Sequence, residues 1–330
     1  MTVGVVRIRH LVSRVGWFEA GYLRKVTRIM GLYRLSFWLL VRVGRQFGGI
    51  RPRRITRWLG RKAFAAGPSV APTTWWTDRW GSQLLLNPFY FLDANIIAFG
   101  CHDPSMHRFI ENHVKPGMTC FDVGANVGVV ALHLARRVGL SGSVHAFEPV
   151  SSIRRRLTEN TERNGLSTTV KIHPAALSNG SGRAVMAVAD ETATNQGQAS
   201  LVNSDNPQLV ISTEITTITI DEFVESNGVD RLDFLKVDIQ GAELLLLEGG
   251  SRVFTELSPQ ILMEVSPEDL GGMGKNSRDL LEAVEAYGYR IYELDSRGWP
   301  GRPVHAQDVP ADYYAANVVC IKDRSGPQPP

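Results

Sequence analysis

The chain has 330 residues, 43% of them apolar, with 36 Lys+Arg against 33 Asp+Glu for a formal net charge of +3. That length accommodates one large α/β domain plus an extra segment, or two modest domains, and the apolar share is enough for a real core. No run of about 18 apolar residues exists, so a spanning helix is not supported; the odd count and wide spacing of Cys101, Cys120 and Cys320 argue against a disulfide framework or zinc site and for a reducing compartment.

The small net charge hides an asymmetry. Residues 1–65 hold 15 Lys+Arg and a single acid, Glu19, a local charge of +14, which leaves 21 bases and 32 acids for the rest. Within "LYRLSFWLLVRVGR", Leu32, Leu35, Leu39 and Val43 recur at helical spacing, with Arg34, Arg42 and Arg45 off that stripe and Gly44, Gly48 and Gly49 closing it. With Phe37 and Trp38 at the boundary, this predicts an interfacial amphipathic helix on an anionic membrane surface. Nucleic acid is the weaker rival, for no RNA-binding signature is present. The start lacks the apolar centre and small-residue cleavage site of a signal peptide. Pro68 and Pro72 mark a linker, so residues 1–72 form a basic N-terminal segment and 73–330 the main domain.

Residues 73–116 read as a lead-in, with a strand and turn in "SQLLLNPFYF" and a helix in "SMHRFIENHV". From 117 onward strands alternate with helices, the pattern of a mostly parallel sheet covered on both faces. "MTCFDVG" is a buried strand, followed by a helix whose stripe is Val127, Val130, Ala131, Leu134 and Val138. "SVHAFEP" is the second strand, and Ser151 or Ser152 caps the helix after it. "TVKIHPAAL", "RLDFLKVD" and "QILMEV" supply the third to fifth strands. Ser277 caps a helix carrying Leu280, Leu281 and Val284 that stops at Gly288; "YRIYEL" and "ANVVCIK" give the last strands and "RSGPQPP" a frayed tail.

The strand–turn–helix around 118–138 builds a ligand site at the carboxyl end of a parallel strand. Gly124 and Gly128 allow close backbone approach, and the helix that follows aims unpaired N–H groups at the turn. A dinucleotide fold favours G-x-G-x-x-G, whereas this loop is Gly124-x-Asn126-x-Gly128 with Asp122 two residues ahead. An acid there repels a pyrophosphate and suits an ammonium or sulfonium, and the Asn126 amide suits a zwitterionic amino acid end. Glu148 closes the second strand, where a carboxylate accepts two ribose hydroxyls. S-adenosylmethionine meets these demands better than NAD.

These motifs resemble the FkbM family of S-adenosylmethionine-dependent O-methyltransferases. "KPGMTCFDVGANVG", "GSVHAFEP", "PAALSN", "LDFLKVDIQGAE", "PQILMEV" and "YGYRIYEL" stand in the family's order from about Asp103 to Leu294, with "CHDP" where an acidic motif is common. The resemblance implies a Rossmann-like class I methyltransferase α/β sheet, mostly parallel with an antiparallel final strand, helices on both faces and a core over 103–322. It also implies a cofactor loop of Asp122, Gly124, Ala125, Asn126 and Gly128, a ribose acid in Glu148, and Ala176 beside the adenine. Asp238 falls beside the transferred methyl. Gln240 stands where many relatives carry an acid, which moves weight onto Asp238.

An alcohol acceptor needs a base. Asp238 and Glu264 are the candidates, both at carboxyl ends of adjacent strands, with His102 ahead of His107 and His113 as the histidine alternative. No metal spacing is present. "TNQGQASL" at 194–201 reads equally as a lid or as a solvated hairpin loop. The expected activity is methylation of a hydroxyl on a sugar, glycolipid or polyketide-like metabolite, with a lipid-linked glycan as the amphiphilic case, by a cytoplasmic protein peripheral at the inner membrane face. A NAD-dependent oxidoreductase and a catalytically silent cofactor-binding protein are the alternatives.

Overall fold

A computed structural model describes residues 73–88, 90–189, 199–200 and 209–322. The basic helix and linker expected in 1–72, residues 194–198 of the stretch read equally as a lid or a hairpin loop, and the tail 324–330 lie outside these residues. Two compact units are distinguished: the smaller takes in residues 73–74, 86–88 and 90–102, the larger 75–85 and 103–322. Strands β1 (Thr74–Thr77) and β2 (Gln83–Leu86) pair in a two-stranded sheet. In the smaller unit, helix α1 (Phe91–Phe99) follows the strand and turn expected in "SQLLLNPFYF", in sequence for which no element was expected. The buried Asp93 accepts the Asn87 N–H at 2.8 Å, and Gly100, at φ 75°, ends the helix by donating to Ile96 O.

The larger unit opens with helix α2 (Pro104–His113), strand β3 (Thr119–Val123) and helix α3 (Val129–Val138). Strand β4 (Ser143–Phe147), helix α4 (Ser151–Arg163), strand β5 (Val170–His173) and strand β6 (Ala175–Leu177) follow. Next come β7 (Gly182–Ala189), β8 (Ala199–Ser200), β9 (Leu209–Ile218), helix α5 (Ile220–Ser226), strand β10 (Phe234–Val237) and helix α6 (Glu243–Glu248). The chain continues through β11 (Gln260–Val265), α7 (Pro267–Gly271), α8 (Ser277–Ala286), β12 (Arg290–Leu294), β13 (Pro300–Val304) and β14 (Ala315–Ile321).

Eight strands form the central sheet in the order β13-β12-β14-β11-β10-β3-β4-β5. The run β11-β10-β3-β4-β5 is parallel, and β14 lies antiparallel between β11 and β12. This is the mostly parallel Rossmann-like sheet expected, its final strand antiparallel. The sheet carries a hydrophobic cluster on each face, one around Phe121, Phe147, Phe223 and Phe254, the other around Phe109, Leu134, Leu157 and Phe234. All four residues of β10 are buried, as a central strand covered on both sides requires.

The third strand expected in "TVKIHPAAL" is two. Pro174 interrupts it; β5 stays at the edge of the central sheet, while β6 joins a separate four-stranded sheet in the order β6-β9-β7-β8. The caps also differ. Helix α4 has Val150 at its N-cap with no side-chain cap bond, so Ser151 and Ser152 fall inside the first turn. Helix α8 is capped by Asn276 in a reciprocal box with Asp279. Ser277 instead donates its hydroxyl to Tyr313 O at 2.6 Å.

Asp103 caps α2, accepting from Ser105 N (2.9 Å) and Met106 N (3.2 Å), with Pro104 at the first helical position. Its other oxygen accepts from Asn317 Nδ2 of β14 at 2.6 Å. Replacing Asp103 with Ala removes a cap and this tie, and should cost about 1–2 kcal/mol. Differential scanning calorimetry should show Tm lower by about 2–4 °C for each kcal/mol.

Candidate functional site

The parallel register sets the site. Val123 lies beside Phe147 on β4 and Val237 on β10, and Val237 beside Met263 on β11. The segments leaving β3, β4, β10 and β11 therefore emerge at one carboxyl edge, where α/β sheets bind ligands. Leaving β3, Gly124 and Ala125 both donate N–H to Phe147 O, at 3.2 and 3.0 Å. Gly124, Asn126 and Gly128 all adopt positive φ (76°, 50° and 92°), which turns the chain directly into α3. Asn126 Oδ1 accepts the Val127 N–H at 2.8 Å, an arrangement that lets an asparagine hold the left-handed position.

Glu148 clamps this loop. Its oxygens accept from Asn126 N at 3.0 Å and Val150 N at 2.9 Å, and it is only 6% exposed. Burial pushes its carboxyl up to about 7, against those N–H bonds and Arg154. A carboxylate offers about four acceptor directions, so about two remain after the loop is served. That arrangement fits the vicinal hydroxyls of a ribose. It does not fit a pyrophosphate, which would meet a carboxylate at the loop. Ala176, read as flanking the adenine, is a buried residue of β6.

One expected role changes. Asp122 is 0% exposed, covered by protein on the inner side of the loop, so its carboxylate does not face an ammonium or sulfonium ligand. It faces Lys236, whose Nζ lies 3.5 Å away. Burial pushes Asp122 up and the ammonium opposes this. Lys236 escaped the sequence reading, although its place two residues before Asp238 in an apolar strand sets both on one face. Its Nζ also lies 3.4 Å from Asp238 Oδ2 and donates to Gly124 O at 3.2 Å. Burial alone would lower its pKa; Asp238 and Asp122 outweigh that, and the net direction is up.

On the β10–β11 side Asp238 stands at the strand end, its side chain 40% exposed, accepting from Gln240 Nε2 at 3.0 Å. Gln240 and Gly241 continue at positive φ (52° and 97°). Glu243, in the first turn of α6, accepts the Ile239 N–H at 3.2 Å, and burial pushes it to about 7. Glu264, in β11, is pushed to about 8 by burial and by the nearby charges of Asp238, Asp269 and Glu243. Burial, together with the charge of that acid, raises the phenol of Tyr314. Asp269 and Tyr314 were not foreseen, because α7 and the approach to β14 reach this edge only through the fold. Asp238 and Glu264 thus meet, as their strand positions predict.

The histidines divide. His107 and His113 are taken up by packing: His107 Nδ1 lies 2.7 Å from His133 Nδ1 with its ring stacked on Trp80, and His113 stacks on Phe109. His145 is buried in β4 and its Nδ1 lies 3.1 Å from His173 Nε2. His102 is an exposed residue of the smaller unit. Among the described residues no group of three or more His, Cys, Asp or Glu is arranged to hold a metal ion, and no helix is long and apolar enough to cross a membrane. Cys120 and Cys320 are buried thiols whose pKa burial raises, the inert character expected of Cys120.

Comparison with known proteins identifies the family. The family model described as the methyltransferase FkbM domain matches residues 122–291, just over half of the chain. The chain is similar to the hexuronic acid methyltransferase AglP of Haloferax volcanii, 30% identical over 221 residues, 66% of this chain and 84% of that protein. It is also similar to the AMB antimetabolite synthetase AmbE of Pseudomonas aeruginosa, 28% identical over 208 residues; this covers 54% of the chain but only 10% of the much longer synthetase. Among solved structures, the methyltransferase FkbM from Methylobacillus flagellatus is 17% identical, covering 68% of this chain and 52% of that one with a TM-score of 0.39. The glycine loop, Glu148, Asp238 and Glu264 all fall within the matched span: the chain belongs to the FkbM family of S-adenosylmethionine-dependent methyltransferases.

Proposed function

We propose that the protein methylates a hydroxyl oxygen of a sugar, glycolipid or polyketide-like metabolite, with Glu264 as the general base. The observation that carries this reading is a half-buried carboxyl held near pH 8 at the edge where Asp238 and the donor loop meet. A base is most effective with a pKa near the working pH, and an alcohol must lose its proton as the new bond forms. When bound, S-adenosylmethionine supplies a methyl on a good leaving group. The chain must then align the acceptor, exclude water and take the proton. Glu264 accepts the proton, Asp238 orients the hydroxyl, Glu148 holds the ribose, and Gly124 to Gly128 shape the turn around the donor. The name of AglP supports a sugar-derived acceptor. The lipid-linked form rests on the charge of residues 1–65 alone, and His102 remains a second candidate base on its sequence position alone.

Calorimetric titration with S-adenosylmethionine and with NAD, followed by acceptor-dependent release of S-adenosylhomocysteine from a panel of hexose, hexuronic acid and polyketide alcohols, tests the reading. Binding of NAD alone would sink it, as would a methyl found only on nitrogen.

Glu148→Gln should weaken donor binding about 10- to 100-fold, the worth of a hydrogen bond to a charged group, with a smaller change in kcat at saturating donor. In the unaltered protein donor affinity should rise between pH 6 and 8, because the ionised form accepts the ribose donors and Glu148 ionises near pH 7. A flat profile assigns the ribose to another residue.

A further inference from the structure

We propose that Lys236 is a positioning residue that couples the donor loop to the acceptor-side acid Asp238. The inference rests on the assignment of S-adenosylmethionine to the glycine loop and goes beyond it by assigning a residue outside the loop.

Lys236 sits in β10, a central strand whose other residues, Phe234, Leu235 and Val237, are 0–2% exposed. A lysine in such a place costs desolvation that an aliphatic residue would not. A buried ion pair is poor evidence of added stability, since well-packed apolar replacements are often neutral or better. What the ammonium provides is directional. In the parallel register Lys236 lies beside Asp122 of β3. Two residues on, Asp238 projects from the same side of the chain. The Nζ reaches three acceptors from different elements: Gly124 O of the loop at 3.2 Å, Asp238 Oδ2 after β10 at 3.4 Å, and Asp122 Oδ1 within β3 at 3.5 Å. The first is a hydrogen bond; the two carboxylates are held at ion-pair distance.

The same two segments also touch through their backbones. A Cβ placed on Gly124 would come within 2.0 Å of Asp238 O, and Asp238 N donates to Val123 O at 3.1 Å. The loop therefore cannot shift without moving Asp238, and Lys236 carries that constraint out to the carboxylate. A change in the Asp238 side chain should be felt at the donor loop through this ammonium.

A double-mutant cycle read by calorimetric binding of S-adenosylmethionine to the full chain tests the coupling without any acceptor. Lys236→Met should weaken donor binding about 10-fold or more, and Lys236→Arg should recover most of it. Asp238→Asn should change the donor Kd about 3-fold or more in the unaltered background and less than about 2-fold beside Lys236→Met. Equal effects of Asp238→Asn in both backgrounds would overturn the proposal. If Lys236→Met fails to fold, the double variant Lys236→Met with Asp122→Leu removes both buried charges. It should fold, melt near the parent and still bind the donor weakly; parental affinity there also overturns the proposal. Absence of donor binding by the unaltered chain would overturn the donor assignment, and this inference with it.

Discussion

Replacing Glu264 with Gln lowers turnover about 100- to 10,000-fold, the contribution of a positioned base, and raises thermal stability at the same time. The carboxyl is pushed from 4.5 to about 8 in the folded chain. A group with a raised folded pKa favours the native state while protonated. That contribution is complete below pH 4.5 and is lost as the pH climbs through about 8. Above pH 8 the native state carries an ionised, half-buried acid near Asp238, Asp269 and Glu243, and glutamine relieves it. The Tm gain of the variant should therefore be larger at pH 9 than at pH 6, at about 2–4 °C for each kcal/mol. Turnover of the unaltered enzyme should rise with pH toward about 8. Donor affinity should change little, since Glu264 lies on the acceptor side. Full turnover in Glu264→Gln would move the base to Asp238 or elsewhere.

Gly124→Ala has the second large effect. The residue stands at φ 76°, and an added Cβ would lie 2.0 Å from Asp238 O and 3.2 Å from Ile239 Cγ2. The first neighbour is backbone and cannot swing aside. Left-handed strain alone costs about 1–2 kcal/mol, and the displacement of the loop from Asp238 adds to it. Donor binding by calorimetry should weaken about 100-fold or more, the equivalent of roughly 3 kcal/mol, with a fall in Tm. Gly228→Ala is the control: its φ is 61°, but nothing lies within 4 Å of the added methyl. It should lose some stability to strain and keep its donor affinity. Equal losses of donor affinity in both variants would show that the contact with Asp238 is unimportant.

The donor half of the site was legible because its signals are local. Glycine spacing, the asparagine between the glycines and the acid closing the second strand all lie within 25 residues of Gly124, and each names its own chemistry. Asp238 and Glu264 were legible because strand ends fall at one sheet edge. What escaped depends on contacts between distant segments. Lys236 looks like a surface residue until its strand is seen to be central, and Asp122 looks ligand-facing until its neighbours cover it. The apolar patterns of β7 and β9 sit outside the familiar motifs, so a whole second sheet went unforeseen. Strand β13 was hidden by Pro300 and Pro303, which sheets tolerate at an edge, and β13 is the edge strand. The Ser277 cap was misplaced by one position because the neighbouring Asn276 and Asp279 make the better reciprocal pair, whereas α4 starts from Val150 with no side-chain cap bond at all.

Strand β14 has a consequence for the order of synthesis. Its residues, 315–321, fill the gap between β11 and β12, so each keeps one unsatisfied ladder until those residues have left the ribosome. β3 pairs with β4 at once and waits for β10, residues 234–237, to fill its other edge. A nascent chain can therefore assemble β3, β4 and β10 well before β14, with its tie from Asn317 to Asp103, exists, and a premature stop near residue 310 would leave the glycine loop in place and the edge beside Glu264 uncovered.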